Sequence, residues 1–369
     1  MIHKKIALFL CLLIFSISTI ACTKQTSVVI DTIIITDILN REVRVKLNAS
    51  RFVCLGPNSL RLYTYIANIE NIVGIENFEI IQTPKGRPYI ELYQDKILSL
   101  PIISEGGPKS TPNSENILLV NPDVIIMSSY YDLNVIENIA NTTNIPVIVI
   151  SNDTSEGTIF NDALFKSLEI LGEVTNNQAR SQEIINYLYS VKTDLLIRTS
   201  MIQNPKTAYI GSLSKAGHQL ITSTSGDYEM FDLVNITNIS KINDIHNQAM
   251  IDKETLLKWN PEIIFIDANG YELLLEDMSI NPSFYQSLNA FKNHQVYLQM
   301  PYNFYSTNLE IALLNAYYCG SVLYPEQFND IDFVQLISEI SNFFVGIDIN
   351  GILIQDYYGG YQALNITSI

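Results

Sequence analysis

Glu115-Asn-Ile-Leu-Leu-Val-Asn-Pro-Asp-Val-Ile-Ile126 aligns without gaps on Glu254-Thr-Leu-Leu-Lys-Trp-Asn-Pro-Glu-Ile-Ile-Phe265, at an offset of 139 residues. Five of the twelve positions are identical, and the acids Asp123 and Glu262 also correspond. Each copy reads as a short helix that begins near the glutamate and halts at Asn-Pro, because proline cannot continue a helix and restricts the residue before it. A continuous apolar run follows, the pattern of a strand covered on both faces. Helix, stop and strand is a grammar that chance can repeat, but this density of identities favours two homologous lobes.

Outward from these copies, the same alternation continues. The first half carries apolar runs at Phe52 to Leu55, Ile72 to Ile75, Val124 to Met127 and Val147 to Ile150, with amphipathic segments at Ser59 to Ala67 and Ser114 to Val120. The second half carries Ala208 to Ile210, Ile263 to Ile266 and Val296 to Leu298, with helical patterns at Lys253 to Trp259 and Asn308 to Leu323. This is α/β architecture. Between the halves, Asn176 to Ile202 contains neither Gly nor Pro and places Ile184, Ile185, Leu188, Val191, Leu195 and Leu196 at helical spacing. It predicts one helix of roughly 25 residues, ~37 Å long. The expected fold is therefore two Rossmann-like lobes, 36–175 and 204–369, joined by a connecting helix within 176–203, with a ligand cleft between the lobes.

The chain has 369 residues, enough for two ordinary domains, and its 47% hydrophobic content is too high for disorder. Its net charge is −16, and it becomes −18 once Lys4 and Lys5 leave with the N-terminal segment. That balance argues against nucleic acid as a partner, since phosphate binding relies on clustered cations. Residues 1–21 read as a secretory signal: a basic start, the apolar segment Ile6 to Phe15, and a small-residue exit. The stretch Thr19-Ile20-Ala21-Cys22 is similar to a lipoprotein signal, in which Cys22 becomes the first, lipidated residue. Thr19 stands where such signals usually have leucine, which leaves simple cleavage after Ala21 as the alternative. Residues 22–35 read as the tether of a membrane-anchored, exported protein, periplasmic or at the cell surface. With Cys11 removed, Cys22, Cys54 and Cys319 remain; Cys54 and Cys319 read as buried thiols, or as one bridge.

Taken together, these features make the chain resemble the class III (cluster A-II) solute-binding proteins of ABC importers for ferric siderophores, haem, cobalamin and other metal complexes. The resemblance runs from about Ile35 to Phe344. It rests on Ile35-Thr-Asp-Ile-Leu-Asn-Arg-Glu-Val43, Arg51-Phe-Val-Cys-Leu-Gly56, the two glutamate-led helices, Asn121-Pro-Asp-Val-Ile125 and the single long helix. Gly56-Pro-Asn-Ser-Leu-Arg61, Gly86-Arg-Pro-Tyr89 and Pro301-Tyr-Asn-Phe-Tyr305 resemble a branch that includes molybdate and tungstate binders. The resemblance implies a monomeric receptor without a cofactor, which takes a metal-containing solute to a permease dimer and performs no catalysis. An exported enzyme or a surface adhesin on the same fold are the competing classes. Against the enzyme, the sequence has no GxSxG elbow, HExxH helix or Walker loop.

In such proteins the ligand lies between the lobes, against loops at the carboxyl ends of the strands. Four segments fall there. Asn58 or Ser59 can cap a helix whose free N–H groups face an anion, with Arg61 adding charge. Arg87, with Tyr89 in a polar, Gly-containing loop, offers a guanidinium fork to an oxyanion or chelate oxygen. Of Tyr130 and Tyr131, one is expected to line the cleft and the other to pack. From the second lobe come His218, Tyr302, Asn303 and Tyr305, whose aromatic faces and phenolic oxygens suit a flat or chelated ligand. Glu115 and Glu254 favour the positive ends of their helices whatever else they do; the resemblance also makes them permease-docking acids, one on each lobe.

Overall fold

The computed structural model describes residues 31–107, 110–151, 157–214 and 217–365. The signal at 1–21 and Cys22 lie outside the described residues. Thr32–Thr36 (β1) and Glu42–Lys46 (β2) form an antiparallel hairpin with Thr32 opposite Lys46. The expected tether therefore gives way to strand at residue 32 rather than after 35. The reason is alternation, which turns Ile35 and Val45 into the core and leaves Ile34 and Arg44 outside.

Phe52–Leu55 (β3), Ile72–Glu76 (β4), Ile102–Ser104 (β5), Val124–Ser128 (β6) and Val147–Ile150 (β7) make a wholly parallel sheet in the order β5-β4-β3-β6-β7. Every residue of β3, β6 and β7 is buried, as the unbroken apolar runs require. Alternate side chains serve opposite faces. Val53, Leu55, Ile125 and Met127 pack with Ile136 and Ile139 of the Leu133–Thr143 helix, whereas Phe52, Cys54, Val124 and Ile126 enter a larger core.

The second half contributes Thr207–Gly211 (β8), Ser223–Ser225 (β9), Thr237–Asn238 (β10), Gln248–Met250 (β11), Ile264–Asp267 (β12), Val296–Gln299 (β13) and Gln362–Ala363 (β14). The main sheet runs β10-β8-β12-β13-β14, parallel except for β14; β9 and β11 form a separate antiparallel pair. The order β4-β3-β6-β7 in one sheet matches β10-β8-β12-β13 in the other. The repeat extends to its caps. Asn113 accepts the N–H of Asn116 at the start of Ser114–Leu119, and Asp252, 139 positions on, accepts that of Thr255 at the start of Lys253–Trp259. Asn121 and Asn260 take the same left-handed conformation before proline, with φ of 45° and 42°, a region asparagine enters more readily than most residues.

Gln178–Thr199 is the connecting helix, 22 residues and about 33 Å long. It buries Ile184, Ile185, Leu188, Val191 and Leu195, but Leu196 is 47% exposed, because the i, i+4, i+7 stripe that continues through Leu195 turns it away. The two halves are not separated by this rod. The Phe333–Val345 helix returns to pack on the Ser59–Ile66 and Pro88–Ser99 helices of the first half. There Phe344 meets Tyr65 edge-on at 5.3 Å between centroids, and Phe343 stacks on Tyr187 at 4.0 Å. One apolar core consequently runs from β3 through the connecting helix to β12. Cys54 and Cys319 are both buried and unbridged, and burial pushes both thiols up.

Candidate ligand cleft

Strand order reverses between β3 and β6 in the first sheet and between β8 and β12 in the second, so each sheet opens a crevice at the carboxyl ends of those strands. Loops from these ends meet across the lobes. The Asn58 N–H donates to the Tyr305 carbonyl at 3.3 Å, and the N–H groups of Ile159 and Phe160 donate to the Glu229 carboxylate. Burial nonetheless raises the pKa of Glu229.

The seam absorbs several residues expected at the ligand. Arg61 is 1% exposed and points its guanidinium at the carbonyls of Phe304 and Tyr305, at 2.5 and 3.2 Å, while lying over the Tyr89 ring. Arg87 does not stand in an open loop. Pro88 occupies the first turn of the Pro88–Ser99 helix, a position that suits its fixed φ, and Arg87 precedes it fully buried. Its Nη1 pairs with Glu79 Oε2 at 2.5 Å, and its other nitrogens donate to the carbonyls of Gln82 and Thr83. Tyr89 is likewise buried and donates to Glu79 at 2.9 Å. Burial raises the pKa of Glu79 although Arg87 and Arg61 pull it down. Asn58 makes no capping bond; its φ is 73°, and its buried Oδ1 has no partner among the described residues. Ser59 donates back to the Leu55 carbonyl.

Glu76, which the sequence reading passed over, collects what remains. Its carboxylate, 1% exposed at the end of β4, accepts the Gly56 N–H at 3.0 Å and the hydroxyls of Tyr305 at 3.1 Å and Tyr131 at 3.3 Å. Tyr305 also accepts the Gly107 N–H, and its ring lies 4.3 Å from that of Phe78. Gly56 is required here. Its φ is 83°, and a Cβ would stand 2.7 Å from the Tyr131 ring. Burial, with Glu79 nearby, pushes Glu76 up to about 7. Tyr131 thus packs, and Tyr130 is the exposed member of the pair at the rim.

Beside this seam lies a cavity of about 640 Å³ between the 157–160 loop, the connecting helix and the second lobe, and both Tyr302 and Asn303 line it. Lys192 reaches it from the helix with its ammonium 4.8 Å from the centre of the Phe160 ring. His218 is exposed and is not among the lining residues. Among the described residues no group of three or more His, Cys, Asp or Glu side chains could hold a metal ion. Glu115 and Glu254 are both exposed in the first turns of their matched helices. The acid that ends the apolar run Ile72–Glu76 was a readable signal for Glu76; Lys192 and Glu229 carry none in their local sequence.

Two parallel-sheet lobes with facing carboxyl ends, a cavity at their junction and a single connecting helix define the class of extracytoplasmic solute receptors. The chain belongs to the periplasmic binding protein family, whose sequence profile matches residues 62–301. It is similar to the molybdate-binding protein MolA of Haemophilus influenzae, 24% identical over 334 residues that take in 83% of this chain and 89% of that protein. It is also similar to the Fe(3+)-citrate-binding protein YfmC of Bacillus subtilis, 27% identical over 191 residues, 52% of this chain and 58% of that one. The solved structure of MolA bound to molybdate superposes with a TM-score of 0.67 at 21% identity, covering 86% of this chain and 98% of that one. FepB from Veillonella parvula gives 0.65 at 22%, covering 86% and 97%. At these identities the superpositions establish the fold alone.

Two outcomes follow from the seam. Arg87→Ala leaves Glu79 buried without its cation, and breaking such a pair costs about 3–5 kcal/mol; urea denaturation should register that loss, and a change below ~1 kcal/mol would contradict the assignment. Because folding raises Glu76 from 4.5 to about 7, the folded protein holds the extra proton between those values. Stability then falls as pH rises through that window and levels off above it. Asp267, pushed up to about 7 by burial, slopes the same way. Glu76→Gln should flatten the decline in thermal midpoint between pH 4.5 and 7; an unchanged profile would remove Glu76 as a source.

Proposed function

We propose that this protein is the substrate-binding component of an ABC importer, exported and lipid-anchored through Cys22. It captures a metal-containing solute, a ferric chelate or an oxyanion such as molybdate, and delivers it to a permease dimer without making or breaking a bond. The observation that carries this reading is the cavity of about 640 Å³ at the junction of two duplicated lobes, a volume within the range of small-molecule sites. The named relatives, one a molybdate binder and the other a ferric citrate binder, support the solute class.

Glu115 and Glu254 take the docking role. Both are solvent-exposed, both sit in the first turn of capped helices, and they occupy equivalent places on the two lobes. Exposed charges of this kind govern encounter rate more than the grip on the solute.

Titration of the mature protein with ferric citrate, molybdate and tungstate, paired with uptake in a reconstituted transporter, tests the reading. Stoichiometric retention without chemical change is expected, and turnover of the solute would overturn it. Glu115→Arg with Glu254→Arg should leave affinity intact and abolish uptake, whereas normal uptake would retire the docking role. Cys22→Ser should move the protein from the membrane to the soluble fraction; persistent membrane association would count against lipidation.

A further inference from the structure

The cavity wall is rich in acids, yet each of them is already matched within the protein. Glu229 accepts the N–H groups of Ile159 and Phe160, and Asp232 pairs with Lys241 at 3.0 Å. Asp227 accepts the Asn247 N–H at 2.8 Å and faces His246 at 3.8 Å. The Gln248 amide donates to the carbonyls of Leu213 and Ser214. Among the described residues, six lining side chains lack such a match: the neutral Thr158, Ser225, Asn247 and Asn303, together with Lys192 and Tyr302. The Lys192 ammonium has no ion-pair or hydrogen-bond partner, only the Phe160 ring and the more distant field of Glu229. The Tyr302 hydroxyl has no hydrogen-bond partner, although its ring is fixed edge-on to Tyr228 at 6.1 Å. Each of these six can donate a hydrogen bond, and Lys192 alone among them carries a full positive charge.

We propose that Lys192 of the connecting helix and the Tyr302 hydroxyl of the second lobe form the anchoring pair for an anionic oxygen edge of the solute. The edge is either a carboxylate of a metal chelate or one face of a free tetrahedral oxyanion. This rests on the proposed function. It moves the cation from the guanidiniums of Arg61 and Arg87, which the seam consumes, to a lysine on the element that joins the lobes. Lysine acts as a compact point charge without the fixed fork of arginine, so the site accepts oxygen edges of different geometry. Because Lys192 is half-buried, its attraction for an anion is screened less by salt than that of a surface lysine.

The mature chain and its K192Q, K192R and Y302F variants are titrated calorimetrically with ferric citrate, sodium molybdate and sodium tungstate. For each probe the wild type holds, K192Q should bind at least tenfold more weakly, K192R within about threefold of wild type, and Y302F in between, with thermal midpoints of the ligand-free proteins unchanged. Retention of ferric citrate identifies the carboxylate edge, and retention of molybdate or tungstate the oxyanion edge. Equal binding by K192Q and wild type overturns the anchor while the proposed function stands. Loss in K192Q and K192R together, with a lowered midpoint, marks a packing role and also overturns it. A wild-type protein that holds none of the probes removes the proposed function and the anchor with it.

Discussion

The guanidinium of Arg61, donated from the first lobe into the carbonyls of Phe304 and Tyr305 of the second, is the contact around which the rest is arranged. A cation this deeply buried depends on acceptors for its donors, and the loop after β13 supplies them to both terminal nitrogens by crossing the seam, while Nε has no partner among the described residues. Pinned there, that loop adopts left-handed backbone at Tyr305 and Ser306, with φ of 55° and 93°, which persists where surroundings over-determine it. Tyr305 then reaches Glu76, and Asn308 donates to the Gly86 carbonyl at 2.8 Å. Arg180 ties the same junction from the connecting helix, donating to the carbonyls of Tyr65 and Phe343.

From this seam the cavity acquires its shape. The cross-lobe contacts close the centre, and open volume is left to one side, between the 157–160 loop and Lys192. The duplicated sheets provide two crevices that face one another, but their walls are not equivalent. The first lobe lines the cavity with Gly157, Thr158 and Phe160, a loop whose N–H groups at Ile159 and Phe160 are already held by Glu229, while the second lobe brings Tyr302 and Asn303.

Much of the architecture was legible because it is written in short range. Continuous apolar runs gave β3, β6 and β7 at their observed bounds or within one residue, and the Glu-led repeat anticipated helix, stop and strand in both lobes, though not the Asn113 and Asp252 caps. The charged residues were harder. Arg87 looked like a loop cation since Gly86 and Pro88 punctuate a polar stretch, but Pro88 starts a helix and Glu79, eight residues earlier, claims the guanidinium. Arg61 faces a partner 243 residues away, which no local pattern announces. Lys192 sits on a helix chosen for its apolar stripe, where a single lysine on the other side reads as solvated. The hairpin of β1 and β2 was missed because Thr- and Ser-rich sequence around it resembles linker.

The apolar core that passes from one sheet through the connecting helix to the other has a thermodynamic meaning of its own. Halves that share buried surface each lose support when the other opens, so their unfolding is coupled through that surface. A guest held at the junction by contacts from both sides stabilises the coupled halves together, by an amount that grows with the logarithm of its concentration. Occupancy is thereby registered throughout the molecule, including helices that never touch the guest, even if no hinge turns.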